Sequence, residues 1–179
     1  DTTNKGMQPF IGDEFVFVCN GEIYNYEELS SEFSDKLLGK SDCEVIPYLI
    51  LKYGMTKALN MINGEFAFIF YDKKQKIISV ATDHLGIRPL FYGLDDHHNL
   101  YISSEIKGIP LTSEEIIPYR VNSGHIIDFA LTSIKPIISS QRYYTFPKQK
   151  LYNDKNLSIN SVLQNIKQSL IESVRNRLK

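Results

Sequence analysis

The apolar positions fall into short runs with no polar face, separated by segments of helical period. Residues 14–19 read Glu-Phe-Val-Phe-Val-Cys. As a strand they place Phe15, Phe17 and Cys19 on one side and Val16 and Val18 on the other. A strand that is apolar on both sides is expected to be covered on both. Residues 66–71, Phe-Ala-Phe-Ile-Phe-Tyr, repeat the pattern. Residues 77–81 follow across the polar turn Asp72-Lys73-Lys74-Gln75, which predicts a hairpin. An antiparallel hairpin usually leaves one face wet, and neither of these strands offers a wet face. The pattern therefore predicts two stacked, mainly antiparallel sheets with helices outside both. Further short strands are expected at 90–93, 99–104 and 124–129.

Three segments carry helical period. Ser41-Asp42-Cys43-Glu44 has the Ser-x-x-Glu form of a capping box. Val45, Ile46, Leu49, Ile50 and Tyr53 then recur at helical spacing, and Gly54 supplies a stop. Pro47 lies inside this run, and a kink is expected there. Met55, Ala58, Leu59 and Ile62 predict a short helix ending at Asn63-Gly64. At the far end Ile159, Val162, Leu163, Ile166, Leu170, Val174 and Leu178 form one stripe, with Lys167, Arg175, Arg177 and Lys179 suited to the C-terminal dipole. Residues 145–158, around Pro147, read as a linker.

Composition narrows the function classes. A chain of 179 residues suits one domain, or one domain and the start of another. Lys and Arg number 20 against 21 Asp and Glu, so there is no basic excess for phosphates, and partnership with nucleic acid or an anionic membrane is disfavoured. No apolar run approaches the ~18 residues of a membrane-spanning helix. The two cysteines, Cys19 and Cys43, form no Cys-x-x-Cys pair, and a reducing, cytoplasmic setting is expected. The four histidines show no metal-ligand spacing, so no metal site is expected.

Three segments could carry chemistry. Asn20-Gly21-Glu22-Ile23-Tyr24-Asn25 follows the first strand directly. Asn-Gly is a strong hairpin-turn signal, and spacing alone favours a turn. The same three positions also present an amide side chain, a Gly N–H and a carboxylate in succession, and an amide with a backbone N–H is what an oxyanion hole requires. Asp42 reads locally as a carboxylate in the first turn of a helix, where it could equally hold a ligand ammonium. Asp83 and Arg88, in Asp83-His84-Leu85-Gly86-Ile87-Arg88-Pro89-Leu90, could pair across a loop and shape it. His84 has no nucleophile or carboxylate partner nearby in sequence, so a structural loop is the better reading.

Taken in order, Asn20 to Asn25 with Glu28-Leu29, Ser41 to Ile46, Gly64-Glu65-Phe66-Ala67-Phe68, Asp83 to Leu90 and Ser103-Ser104-Glu105-Ile106-Lys107 resemble the class II glutamine amidotransferase domain of glutamine-hydrolysing asparagine synthetases. The likeness covers about residues 1 to 145. It implies an α+β fold, the αββα sandwich of N-terminal nucleophile hydrolases. In that family an N-terminal Cys thiol attacks the side-chain amide of glutamine and its own α-amine carries the proton. The resemblance assigns the oxyanion to Asn20 and Gly21, and the glutamine backbone groups to Glu22 and Asp42. It changes the reading of Asn20-Gly21 from a turn to an oxyanion hole.

The resemblance also carries expectations about what lies outside this sequence. The family's nucleophilic Cys and a glutamine-binding Arg lie upstream of the segment matched by Asp1, so the chain is expected to be N-terminally truncated and inactive alone. Residues 1–145 are then a glutaminase domain lacking its N-terminal segment, 146–157 a linker, and 158–179 a helix leading to an absent synthetase domain. The parent would hydrolyse glutamine to glutamate and ammonia and amidate aspartate with ATP. ATP and magnesium would belong to the synthetase domain, and the glutaminase domain itself would need no cofactor. A homodimer is compatible with this reading. Two alternatives stay open: another class II amidotransferase feeding a different acceptor, and a degenerate domain that binds glutamine or a partner.

Overall fold

The computed structural model describes residues 6–39, 41–110, 116–132, 135–146 and 158–178. The chain divides into two compact units, Asp1–Thr145 and Phe146–Lys179. Apart from Phe146, the segment expected to be a linker lies outside the described residues.

In the first unit, strands β1 (Phe10–Ile11) and β2 (Phe15–Ile23) precede helices α1 (Tyr26–Ser30), α2 (Val45–Tyr53) and α3 (Met55–Met61). Strands β3 (Gly64–Asp72), β4 (Ile77–Thr82), β5 (Phe91–Leu94), β6 (Leu100–Ser103), β7 (Tyr119–Arg120), β8 (His125–Ala130) and β9 (Ile137–Arg142) follow. Among the described residues they form a larger sheet in the order β1-β2-β3-β4-β8-β9 and a smaller one, β6-β5-β7. Every pairing is antiparallel.

The doubly apolar strands explain the layering. One face of the larger sheet presents Phe15, Phe17, Cys19, Phe66, Phe68 and Phe70 to Val45, Ile46 and Leu49 of α2 and Ala58 and Leu59 of α3. The other face presents Ala67, Val80, Ile127 and Phe129, which meet Leu90, Val121 and the partly buried Tyr92, Leu100 and Ile102. Tyr92 packs edge-on against Phe129, with ring centroids 5.2 Å apart. The result is an α+β sandwich of two stacked antiparallel sheets, as the sequence implies.

Two features differ from the expected covering. The smaller sheet lies over β3, β4 and β8 and contributes nothing above β2, so Val16 is half-buried and Val18 is 41% exposed. Among the described residues of the first unit, the one helical element after α3 in the chain is the 3-10 turn Ile106–Gly108.

The helix starts are also built differently from expectation. Residues Asp42–Glu44 form a 3-10 turn, and Ser41 makes no side-chain cap. Glu44 does not close a capping box. It is buried and accepts the N–H groups of Leu38 at 2.9 Å and Gly39 at 2.7 Å. The tight turn before α2 folds the loop back onto this carboxylate, and two otherwise orphaned donors outcompete the cap. Pro47 causes no break in α2, because it is the third residue of the helix, and N–H groups in the first turn lack intrahelical acceptors anyway.

Strands β1, β7 and β9 carry no signal in the pattern. β9 is exposed along its whole length and is held by its register on β8, from Ala130↔Ile137 to His125↔Arg142. In the second unit, α4 (Ile159–Asn176) is capped by Ser158, whose Oγ accepts the Ser161 N–H at 3.1 Å. Among the described residues its apolar stripe is exposed. Among the described residues no helix is long and apolar enough to cross a membrane.

Phe17 is fully buried, with its ring 5.3 Å from that of Phe68 and 6.4 Å from that of Phe10. Phe17→Ala should cost about 3–5 kcal/mol of stability. A shift in the urea midpoint with an unchanged slope checks this.

Candidate functional site

The segment Asn20-Gly21-Glu22-Ile23 is not a turn. β2 runs straight through it, with Asn20 opposite Ala67, Gly21 opposite Phe66, Glu22 opposite Glu65 and Ile23 opposite Gly64. What distinguishes the segment is its outer edge. Among the described residues β1 pairs with β2 only at Val16 and Phe17, and from Cys19 onward no described strand covers that side.

In an antiparallel ladder the backbone groups of alternate residues point to the same edge. Those of Cys19, Gly21 and Ile23 point outward, and each meets a different side chain. The Gln8 side-chain amide takes both groups of Cys19: its Oε1 accepts the Cys19 N–H at 2.6 Å, and its Nε2 donates to the Cys19 carbonyl at 2.8 Å. The Cys43 thiol donates to the Gly21 carbonyl at 3.6 Å. Asp42 Oδ2 accepts the Ile23 N–H at 2.5 Å. On the far side of β3, Asp83 N–H donates to the Phe66 carbonyl at 2.8 Å, so the Gly21↔Phe66 pair is the non-hydrogen-bonded kind. The Gly21 N–H therefore takes no partner from β3 and points out of the open edge.

Gly21 has a steric reason to be glycine. A Cβ there would stand 2.3 Å from the Glu65 carbonyl oxygen and 2.8 Å from Phe66 Cα. Gly64 is the reciprocal case, its Cβ position lying 2.3 Å from the Glu22 carbonyl oxygen.

Asn20 and Glu22 project from the other face of β2, away from Phe17, Cys19 and Ile23, and both are exposed. Glu22 lies directly across from Glu65, a juxtaposition of like charges that is unfavourable unless one is compensated. Glu65 is the compensated one. The Tyr24 hydroxyl donates to its Oε1 at 2.5 Å, and Arg88 Nε lies 3.7 Å from its Oε2. The structure thus brings Asn20, the Gly21 N–H, Glu22 and Asp42 to one stretch of strand edge. An amide and a free N–H there can donate to a developing negative charge, and two carboxylates can accept an ammonium.

The Asp83–Arg88 ion pair does not form. Asp83 is buried and spends its carboxylate on backbone donors, those of Phe66, Leu85, Ile87 and Arg88, at 3.0–3.2 Å. The loop wraps around this carboxylate, and the Arg88 guanidinium is left to face Glu65. His84 stacks flat on Tyr144, with centroids 3.8 Å apart and 9° between planes. Burial pulls its pKa below the ordinary histidine value, against an opposing effect of Asp83. This is a packed, neutral ring. Among the described residues no three His, Cys, Asp or Glu side chains are grouped to hold a metal ion.

Gln8, Tyr24 and Arg88 support the site and carry no periodic signal. Gln8 acts as a one-residue substitute for a strand, which no spacing rule encodes.

A family model described as a glutamine amidotransferase domain matches residues 1–110. A probable glutamine-hydrolysing asparagine synthetase of Acanthamoeba polyphaga mimivirus is 30% identical over 192 residues, covering 99% of this chain and 34% of that protein. Asparagine synthetase B of Escherichia coli is 40% identical over 110 residues, covering 59% of this chain and 20% of that protein. The chain thus spans about a third or less of the length of these curated relatives. Among solved structures, the glutamine phosphoribosylpyrophosphate amidotransferase from B. subtilis superposes with a TM-score of 0.64 at 21% identity, over 81% of this chain and 33% of that one. A glutamine aminotransferase class-II domain protein from Silicibacter pomeroyi gives 0.57 at 15% identity, over 77% and 72%. At these identities the structures speak for the fold.

Gly21→Ala should force β2 and β3 apart and cost about 1–3 kcal/mol. Equilibrium denaturation of the two chains measures the difference.

Proposed function

This chain belongs to the glutamine amidotransferase domain family, and from that premise we propose that residues 1–145 are the glutaminase part of an asparagine synthetase. In this reading the domain hydrolyses glutamine to glutamate and ammonia, and a synthetase domain of the longer parent uses the ammonia to amidate aspartate with ATP. The single observation that carries the reading is the outward Gly21 N–H beside the exposed Asn20 side chain, on a strand edge that no described strand covers. Asn20 and the Gly21 N–H would hold the oxyanion of the tetrahedral intermediate. Glu22 and Asp42 would hold the substrate ammonium. Asp42 accepts the Ile23 N–H at one carboxylate oxygen, and its other oxygen would take the ligand. ATP and magnesium would serve the amidation, and no step at the glutaminase site passes through them.

The nucleophile would be an N-terminal cysteine thiol supplied by the parent. Neither cysteine of this chain suits the role. Both are buried, and the Cys19 thiol is pushed up by its hydrogen bond to Cys43 and by desolvation, so it is a thiol and not a thiolate at neutral pH. The 179-residue chain alone should therefore release no ammonia from glutamine above the uncatalysed rate. A Cys19→Ser, Cys43→Ser chain is the control for stray thiol chemistry.

In the parent enzyme the two binding roles should separate kinetically. Asn20 donates to an oxygen that becomes charged only during reaction, so Asn20→Ala should lower kcat by ~10²–10³, or about 2.7–4 kcal/mol, with KM less affected. Asp42 acts on ground state and transition state alike, so Asp42→Asn should chiefly raise KM for glutamine. Asparagine formation from free ammonia should survive both changes. Equal loss of the glutamine- and ammonia-dependent activities would mark both residues as structural and overturn the assignment. An active parent with a different ammonia acceptor would retain the site and replace only the synthetase reading.

A further inference from the structure

Strand β3 opens beside the site with Glu65, a charged residue to which the proposed chemistry gives no role. It stands directly opposite Glu22 in the ladder, so the two side chains leave the same face of the sheet with Cβ atoms about 5 Å apart. The Arg88 guanidinium reaches this face from the loop that Asp83 gathers. Its Nε lies 3.7 Å from Glu65 Oε2, and this buried nitrogen makes no hydrogen bond among the described residues. Arg88 is therefore held to Glu65 by charge and not by a directed bond. Glu65 is itself anchored, because the Tyr24 hydroxyl donates to its other oxygen, Oε1, at 2.5 Å. The Glu65 side chain keeps 18% of its surface and that of Arg88 35%, while Glu22 is exposed to water.

One guanidinium thus faces two carboxylates on neighbouring strands, and which of them it takes decides what the site can bind. An arginine paired with Glu22 would occupy, with a cation, the acceptor that a substrate ammonium needs. The anchored, partly desolvated Glu65 holds the guanidinium here, because water screens Glu22 more strongly. We propose that Glu65 is a positioning residue, which keeps the Arg88 guanidinium away from Glu22 and so leaves Glu22 open to the ammonium of an amino-acid substrate. Without the Glu65 charge, Arg88 turns to Glu22, which offers its unbonded Nε an acceptor, and becomes an internal competitor of the substrate. The kinetic consequence rests on the glutaminase reading above. The competition of two carboxylates for one guanidinium does not.

Glu65→Gln is the informative substitution, since glutamine keeps an oxygen for the Tyr24 hydroxyl and loses only the charge. In the 179-residue chain, the nitrogen–proton NMR signal of Arg88 Nε should shift on Glu65→Gln and shift again when Glu22→Gln is added. A signal that ignores the second substitution overturns the transfer to Glu22. This readout needs no catalysis.

In the parent enzyme, Glu65→Gln should raise KM for glutamine about two- to fivefold, the worth of one screened ion pair, with kcat unchanged. Adding Arg88→Met should bring KM back, and Glu65→Asp, which keeps the charge, should raise it less. A merely structural Glu65 gives no such recovery. A double variant as impaired as Glu65→Gln alone overturns the proposal. So does Arg88→Met raising KM as far by itself, because Arg88 then holds the substrate. Asparagine formation from free ammonia should follow none of these changes. If Glu22→Gln leaves KM for glutamine unaltered while the Arg88 signal moves as expected, the assignment of Glu22 to the substrate falls and the competition for Arg88 stands.

Discussion

Past Phe17, no described strand pairs with the outer side of β2, and the outward backbone groups of every second residue are met by side chains instead. The protein uses a glutamine amide at Cys19, a thiol at Gly21 and a carboxylate at Ile23. Gln8 ties the segment before β1 to the strand, and Cys43 and Asp42 together tie down the 42–44 turn. Among the described residues they leave over the Gly21 N–H, and it is the group the proposed chemistry needs. An uncovered edge is normally a hazard, because it templates pairing with another chain. Here it is blocked by side chains, and blocked incompletely at one position.

The two carboxylates that fold the loops obey the same logic. Asp83 gathers the N–H groups of Phe66, Leu85, Ile87 and Arg88, and Glu44 gathers those of Leu38 and Gly39. In both cases an acidic residue that reads as a surface group is turned inward to satisfy backbone donors that a tight loop leaves orphaned. The charged side chains then facing the site are those the loops release. Arg88, freed from Asp83, offsets Glu65, and Glu65 so compensated tolerates Glu22 across the ladder.

The sheets and helices were legible where burial imposes a period. The doubly apolar run at 66–71 identifies a strand inside a sandwich because nothing but two covered faces accommodates it. The run at 14–19 over-predicted cover, since Val16 and Val18 read as core while only the neighbouring strands are roofed by the smaller sheet. β9 was silent because its position is set by hydrogen bonding to β8 and not by apolar burial. At the site, residue types were legible and conformation was not. Asn20-Gly21 carries the composition of a hairpin turn, yet β3 enforces an extended strand from Phe15 to Ile23. Tertiary pairing overrides a local turn preference wherever the ladder is this long. Ser41 and Glu44 likewise match a capping box in spacing, but Glu44 finds two donors in the loop behind it.

Gly21 and Gly64 each face the other strand's main chain, where a Cβ would stand 2.3 Å from a carbonyl oxygen. No side chain can move aside to make room, so a second substitution elsewhere has nothing to repair. Glycine at position 21 is then a requirement of the sheet before it is one of the proposed catalysis, and a relative without activity still has to keep it. Asn20 is under no such obligation, because its exposed side chain takes no hydrogen bond within the described fold. When related chains are sorted into working enzymes and inert descendants, the informative position is therefore the asparagine, and its glycine neighbour is mute.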